Sequence, residues 1–411
     1  MAAAIEVTDP TSVGMDPNRL QRVADYARSY VDEGKLIGTE VLVARHGKVV
    51  LRSKAGLADR ENQTPIVDNT LWRFYSMTKP LTSVAIMQLV EEGKLRLSDP
   101  LHEFVPAFAT QNVFCGGTAE DPQTEPAHRR ITIADLLTHT AGLTYSFIVQ
   151  HPVDEIYRNS GLDAMAGHGD LATTIDALAA LPLRNQPGTR WSYSMATDVL
   201  GRVVEVVSGQ PFAQRLKSHV LDPLEMYDTA FAVPDEKLDR FAACYMPTPE
   251  GGEPVLIDSA ETSSFRNDAW SSGGGGIVSS LEDYHRFCQM LLNGGRHNGQ
   301  QIIGPRTLNL MMRNHLPGSK DLEEVGDTLF VKGLFTGVGF GLGFSVVQDT
   351  AAGHLLASEG EASWGGMAST AFWVDPKEQI SAIFLTQLVP SSTYINLRWD
   401  LRTLVNQALV D

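Results

Sequence analysis

The chain has 411 residues, with 49 acidic and 33 basic side chains and a formal net charge of −16. This excess of negative charge would repel a phosphate backbone, so we expect no binding to nucleic acid. With 43% hydrophobic and 20% charged residues, the composition is typical of a globular protein and excludes a largely disordered one.

Signals for membranes, secretion and metals are missing from the sequence. No apolar run approaches the ~18 residues of a transmembrane helix, and the N-terminus lacks the basic and apolar regions of a signal peptide. Cys115, Cys244 and Cys288 are too few and too scattered to predict a disulfide framework or a zinc site. We therefore expect a soluble, cytoplasmic protein that does not contact membranes and needs no metal or cofactor.

The N-terminal part predicts a helix, a hairpin and a second helix. The first helix has Asp16 as its N-cap and ends at Gly34. Strands are predicted over 40–44 and 48–53, on either side of a turn, and a helix over about 76–92.

The middle of the chain predicts mostly helices. The stretch 114–130 is rich in Gly, Pro, Thr and Glu and predicts a long loop. Strand signals are scarce from there to about residue 231, and the helical patterns cover 132–138, 173–180, 195–207 and 211–220.

The C-terminal part mixes both element types. The predicted helices cover 280–292, 305–314 and about 395–410, and the predicted strands 340–347, 368–374 and 379–388. Strands at both chain ends, with helices between them, indicate an α/β (α+β) fold: an antiparallel sheet flanked by helices, plus an all-helical subdomain. The predicted boundaries are 1–113 and 269–411 for the two parts of the α/β domain, and 114–268 for the helical subdomain.

The tetrapeptide Ser76-Met77-Thr78-Lys79 is the best candidate for a nucleophile. The chain contains no Gly-x-Ser-x-Gly elbow, no His-Glu-x-x-His and no recognisable cysteine nucleophile. Residues three apart share a helix face, so Ser76 and Lys79 can point into one cleft, next to the N–H donors of a helix start. The alternative is that Ser76 only caps the helix and Lys79 is solvated.

Two further motifs carry groups that suit the same chemistry. Tyr193, at a predicted helix start, can share a proton with a lysine, although a packed, hydrogen-bonded tyrosine is the alternative. In Trp364-Gly365-Gly366-Met367 the glycines let the backbone approach a ligand, and the edge-strand N–H of Met367 is a candidate oxyanion donor beside that of Ser76; a bulge or tight turn is the alternative. We interpret the run 273–276 as structural and His139 as a buried, hydrogen-bonded histidine.

In this order and spacing, the three motifs resemble those of the serine β-lactamase and penicillin-binding superfamily. They are most similar to the class C β-lactamase-like branch that contains the family VIII carboxylesterases. The segments 131–143, 187–194, 273–278 and 339–343 agree with it, and the resemblance extends from about Asp16 to the last helix.

The resemblance implies a role for each motif. Ser76 would be the acylated nucleophile, Lys79 and Tyr193 would exchange its proton, and the N–H groups of Ser76 and Met367 would form the oxyanion hole. Trp364 would line the acyl or alcohol pocket, and we assign Gly365, Gly366, Tyr75 and Phe147 to substrate binding as well.

Two departures from the family pattern bear on the substrate. Met195 stands where β-lactamases have Asn, and Trp364 stands in place of the Lys that holds a substrate carboxylate. Because Trp carries no charge, an uncharged ester fits better than an anionic β-lactam.

The predicted function is therefore a serine carboxylesterase for small, short-acyl esters. The alternatives are β-lactamase or D-amino-acid peptidase activity, an acyltransferase, and a non-catalytic binding relative. The segment 145–170, with Phe147, Ile148, His151 and Tyr157, is predicted to border the cleft. The sequence predicts no oligomeric state.

Overall fold

The computed structural model describes residues 5–162, 169–249, 251–267, 270–327 and 333–411. Its α-helices are α1 (Pro17–Asp32), α2 (Thr78–Glu91), α3 (Ile133–Leu137), α4 (Pro152–Asn159), α5 (Leu171–Ala179), α6 (Ala196–Ser208), α7 (Phe212–Leu216), α8 (Leu281–Leu292), α9 (Pro305–Met311), α10 (Leu322–Val325) and α11 (Leu397–Asn406). Its strands are β1 (Gly38–Arg45), β2 (Lys48–Asp59), β3 (Thr64–Pro65), β4 (Trp72–Arg73), β5 (Asn112–Gly117), β6 (Pro122–Pro126), β7 (Cys244–Met246), β8 (Val255–Asp258), β9 (Val278–Ser279), β10 (Arg296–His297), β11 (Gln300–Gln301), β12 (Val338–Phe340), β13 (Ser345–Val347), β14 (Ala362–Gly365), β15 (Ala371–Asp375) and β16 (Ile380–Leu385).

Strands from both ends of the chain form one eight-stranded antiparallel sheet. Its order is β12-β13-β14-β15-β16-β1-β2-β3, so the N-terminal hairpin completes a sheet that the C-terminal strands begin. Val43 of β1 pairs with Ala382 of β16 on one side and with Leu51 of β2 on the other. The predicted fold class is confirmed.

Both faces of this sheet are covered, because β1 is buried along its whole length. Val41 and Val43 pack with α1 and α11, while Leu42 and Ala44 point to the opposite face and join the core that contains α2 and α8. Successive side chains of a strand alternate between the two faces, so an apolar strand of this kind serves two cores.

Helix α2 lies at the centre of the molecule. Its residues from Thr78 to Leu89 are buried on every side, as expected for a helix without a polar face. It packs against α6 and α7 of the helical part. The first turn of α2, which carries the predicted nucleophile, therefore lies where the sheet and the helical part meet.

Three local predictions are wrong. The stretch 114–130 contains most of the β5–β6 hairpin, in which Phe114 pairs with Thr124; β6 is exposed, so no buried alternation marked it as a strand. The single strand predicted over 340–347 is two strands, with a reversal at Gly343 (φ 98°). Strand β14 was not predicted at all, and β15 begins only at Ala371, because a turn occupies residues 366–370.

Helices α3 to α7 lie in the segment 114–268, together with the β7–β8 hairpin. The domain boundaries themselves stay a prediction, and residues 268 and 269 lie outside the described part. Within that part, no helix has the length and apolar character to cross a lipid bilayer.

Candidate active site

Ser76 lies in a tight turn that leads into α2. The turn is a 3-10 helix over Tyr75–Met77, and Tyr75 has a φ of 45°, in the left-handed region that non-glycine residues rarely adopt. Tyr75 and Met77 are buried, whereas Ser76 is partly exposed. The strained turn therefore presents the Ser76 hydroxyl to an open space.

Lys79 follows one helical turn later and is 1% exposed. Its Nζ lies 3.3 Å from Ser76 Oγ, 3.0 Å from the Tyr145 hydroxyl and 2.7 Å from the carbonyl oxygen of Gly274. An ammonium group has three N–H donors, and these three acceptors match them.

Tyr193 approaches the same serine from the helical part. Its hydroxyl lies 2.5 Å from Ser76 Oγ, and its ring centre is 4.5 Å from Lys79 Nζ. The ring packs among other aromatic rings: Tyr145, Trp191, Trp364 and His139. The structure thus brings together the three side chains that the sequence singled out for catalysis.

His139 is buried and hydrogen-bonded, as the sequence interpretation expected, and its ring packs against that of Tyr193. It is 2% exposed, and its Nδ1 lies 3.2 Å from Ser194 Oγ. Burial, and then the positive charge of Lys79, lower the pKa of His139 well below its usual value. A neutral imidazole therefore backs the tyrosine ring.

The glycine run 273–276 is not only structural, which corrects the sequence interpretation. The Gly274 carbonyl accepts a hydrogen bond from Lys79, and Asp198 accepts bonds from the Gly274 N–H (3.0 Å) and the Ser272 hydroxyl (2.5 Å). A Cβ at Gly274 would lie 2.6 Å from Asp198 Oδ2, so glycine alone fits there. Asp198 is wholly buried, and burial raises its pKa. Sequence reasoning missed Asp198 and the contact of Tyr145 with Lys79; for Asp198 the glycine run was the one available signal.

Met367 does not lie on an edge strand, which corrects a second expectation. Strand β14 lies between β13 and β15 and ends at Gly365, and Met367 belongs to the following turn. Its N–H takes part in no backbone hydrogen bond to a described residue.

A Cβ at Gly366 would lie 2.4 Å from the Phe74 carbonyl oxygen. Glycine therefore lets the end of β14 approach the Ser76 turn.

A cavity of about 470 Å³ opens in front of Ser76. It is lined by all five residues that the sequence assigned to substrate binding: Tyr75, Phe147, Trp364, Gly365 and Gly366. Sequence reasoning missed other lining residues because they come from distant strands, from α11 and from the turn before it: Val338, Trp373, Ile395, Arg398, Trp399 and Arg402.

The predicted contribution of the segment 145–170 is only partly right. Tyr145 and Phe147 line the cavity, but Ile148 and Tyr157 are buried in the hydrophobic core. His151 caps α4 by accepting a hydrogen bond from the Val153 N–H. Residues 163–168 lie outside the described part. Among the residues that the structure describes, no group of three or more His, Cys, Asp or Glu side chains is arranged to hold a metal ion.

Comparisons with known proteins agree with this architecture. The model of the Beta-lactamase family matches residues 23–407. Esterase EstB of Burkholderia gladioli is 32% identical over 399 residues, which cover 92% of this chain and 93% of EstB. Protein Rv1367c of Mycobacterium tuberculosis is 34% identical over 366 residues, or 88% of each chain.

A solved structure extends the likeness to three dimensions. EstCE1, described as a hydrolase with promiscuous acyltransferase activity, superposes with a TM-score of 0.79 at 30% identity, covering 95% of this chain and 99% of EstCE1. The chain therefore belongs to the β-lactamase family, in the branch that contains the family VIII carboxylesterases.

Proposed function

We propose that this serine hydrolase cleaves small carboxylic esters with short acyl groups through an acyl-enzyme on Ser76. The observation that carries the proposal is the 2.5 Å contact between the Tyr193 hydroxyl and Ser76 Oγ, at a serine that Lys79 also contacts. The names of EstB and EstCE1, an esterase and a hydrolase, support it. A largely apolar cavity with Trp364 beside the serine suits an uncharged ester group.

The first step is removal of the Ser76 proton. The three donors of Lys79 already face three acceptors, so we assign its Nζ the role of a hydrogen-bond donor and not that of the base. Tyr193, as the phenolate, accepts the proton from Ser76 Oγ, and the ammonium beside its ring stabilises that phenolate. The freed Oγ attacks the ester carbonyl carbon.

The second step is loss of the alcohol. Negative charge develops on the carbonyl oxygen, and the N–H groups of Ser76 and Met367 are assigned to hold it. The C–O bond to the alcohol breaks, and Tyr193 returns its proton to the leaving oxygen. An acyl group then remains on Ser76 Oγ.

The third step is hydrolysis of the acyl-enzyme. A water molecule takes the place of the alcohol and gives a proton to the Tyr193 phenolate while its oxygen attacks the acyl carbon. Breakage of the bond to Oγ releases the carboxylic acid, and Tyr193 returns the proton to Ser76.

Acyl transfer is the second candidate activity. EstCE1 is described as having promiscuous acyltransferase activity, and an alcohol can attack the acyl carbon in place of water. Adding short alcohols during turnover of an ester would then yield a new ester.

We also propose that the protein is located in the cytoplasm, and cell fractionation tests this location.

The decisive experiment uses Ser76→Ala with Ser218→Ala as its matched control, because Ser218 is exposed and does not line the cavity. We expect S76A to lose at least about a thousandfold in kcat/KM on p-nitrophenyl acetate. A phosphonate inhibitor should add its mass to Ser76 in the wild type and in S218A. Near wild-type activity of S76A would refute the proposal. A parallel cephalosporin panel measures the β-lactamase alternative.

A further inference from the structure

The peptide unit between Gly366 and Met367 carries the second donor that we assign to the oxyanion. Its N–H belongs to Met367 and its carbonyl oxygen to Gly366, and the peptide bond is trans. In a planar trans peptide the N–H and the C=O point in opposite directions. Whatever holds the Gly366 oxygen therefore also fixes the direction of the Met367 N–H.

Two groups hold the Gly366 oxygen. The Ser369 N–H donates to it at 3.2 Å, within the turn that follows β14, and Nη2 of Arg398 donates to it at 2.6 Å. A carbonyl oxygen has two lone pairs, so both are used. The bond from Arg398 is the shorter one, and its donor is charged, which makes a hydrogen bond roughly twice as strong as a neutral one. Arg398 thus anchors this peptide unit from another element of the fold, α11.

The guanidinium of Arg398 is itself held in place. A Cβ at Gly365 would lie 2.6 Å from its Cζ and its Nη1, so a glycine is needed for the group to lie against β14. Burial lowers the pKa of Arg398 to about 10, and the charge of Tyr193, acting in the opposite direction, limits this decrease. The guanidinium is therefore charged at neutral pH, and its charge interacts with that of an ionised Tyr193.

The Met367 N–H remains available on the opposite side of the peptide unit. It makes no backbone hydrogen bond to a described residue, and Gly366 lies close to the Phe74 carbonyl oxygen at the Ser76 turn. A C=O that accepts a hydrogen bond also makes the N–H of the same amide a stronger donor, because linked hydrogen bonds polarise one another. The bond from Arg398 therefore directs the Met367 N–H and strengthens it as a donor.

We propose that Arg398 is a positioning residue for ester hydrolysis, which aims the Met367 N–H at the ester carbonyl oxygen by holding the Gly366 oxygen. The proposal rests on the esterase function proposed above and on the assignment of Met367 to the oxyanion hole. In this role Arg398 needs no contact with the substrate. Its effect is greatest in the transition state, because negative charge develops on the carbonyl oxygen there.

The test compares two esters that differ in the atom bound by the oxyanion hole. p-Nitrophenyl acetate carries a carbonyl oxygen, O-(p-nitrophenyl) thioacetate carries sulfur at that position, and both release p-nitrophenol. Sulfur is the weaker hydrogen-bond acceptor, so a well-placed N–H favours the oxygen ester. We divide the ratio of the two kcat/KM values by the ratio of the two rates with hydroxide, which removes the intrinsic difference in reactivity. The wild type should then prefer the oxygen ester by about tenfold or more.

Arg398→Met should lower this corrected ratio toward one, because it removes the donor and the charge and keeps most of the length of the side chain. On p-nitrophenyl acetate we expect kcat to fall by about tenfold to a hundredfold with little change in KM. Arg398→Lys keeps a charged donor and should recover part of the ratio. Arg28→Met is the control, because Arg28 is exposed on α1 and its loss changes the net charge equally.

The outcomes separate this role from the alternatives. An unchanged ratio in R398M would overturn the proposal, however much activity the variant loses, because a ratio within one protein does not depend on its folded fraction. A shift in the pH dependence of kcat with an unchanged ratio would also overturn it, and would assign Arg398 to proton transfer by Tyr193. A wild-type ratio near one decides against the proposal even if R398M does not fold. Inactivity of the wild type on both esters would instead overturn the esterase function itself, and the role of Arg398 with it.

Discussion

The hydroxyl of Tyr193 lies 2.5 Å from Oγ of Ser76, although 117 residues separate them in the chain. Ser76 precedes α2 and Tyr193 precedes α6, and these two helices pack against each other. The packing of two helix starts therefore sets the distance between the two hydroxyls.

Tyr193→Phe should reduce kcat by about a hundredfold to ten-thousandfold, because it removes the group that we assign to proton transfer. Tyr145→Phe is the matched variant: its hydroxyl contacts Lys79 and not Ser76, so a smaller loss is expected. Steady-state kinetics on one short ester measures both. Equal losses in the two variants would count against Tyr193 as the proton acceptor.

Lys79→Ala should be partly rescued by small primary amines, because a cation can return to the space beside Tyr193. With amines of different basicity at one pH, the rescued rate should follow the concentration of the ammonium form. The wild type with the same amines is the control. A rate that follows the neutral amine would instead identify Lys79 as the base.

Asp198→Asn should lower kcat by roughly tenfold with little change in KM, and Asp198→Ala should lower it further. Asparagine keeps an acceptor for the Ser272 hydroxyl and the Gly274 N–H, and alanine keeps none. Asp283→Asn, at the buried start of α8, is the control for a purely structural loss. If Asp198 only stabilises the fold, the folded fraction of each variant will retain wild-type kcat.

Phe147→Ala should shift the preference toward longer acyl groups. Phe147 lines the cavity and is 43% exposed, so its removal opens space for added methylenes, each contributing about fourfold to kcat/KM. Val149→Ala is the control, because Val149 is 77% exposed and does not line the cavity. The comparison uses a series of p-nitrophenyl esters of increasing length, and an unchanged profile in F147A would contradict the assignment.

The stability of the Glu40→Gln variant, relative to that of the wild type, should increase as pH rises. Glu40 is wholly buried in β1, and burial, followed by the charge of Glu282, raises its pKa from 4.5 to about 7. Between these values the folded chain keeps a proton that the unfolded chain has lost, so this contribution to stability falls as pH rises through 7. The variant has no carboxyl group to titrate at position 40. Its free energy of unfolding, relative to that of the wild type, should therefore rise by on the order of 2–3 kcal/mol between about pH 5 and pH 8.

The measurement for Glu40 is the thermal midpoint at several pH values, expressed as the difference between E40Q and the wild type. Glu253→Gln is the control, because the Glu253 side chain is 82% exposed. A difference that is constant with pH would show that Glu40 is ionised in the folded chain throughout this range.

Motifs with a local signature could be predicted from the sequence. The spacing of Ser76 and Lys79 on one helix, the tyrosine at a helix start and the paired glycines after Trp364 each reflect short-range geometry. The antiparallel sheet and its terminal helices followed from periodicity in the same way. The failures were also local: the β5–β6 hairpin is too exposed to show alternation, and β14 is too short to show a period.

The sequence by itself determined the types of groups available for catalysis and the elements that carry them. Only the tertiary structure decided which distant groups meet. Lys79 donates to the Gly274 carbonyl oxygen, 195 residues away in the chain, and Ser272 donates to Asp198, 74 residues away. Arg398 reaches β14 only because Gly365 leaves space for it. Such contacts depend on the packing of separate helices and strands, and no periodicity or spacing along the chain encodes the distance between side chains that packing brings together.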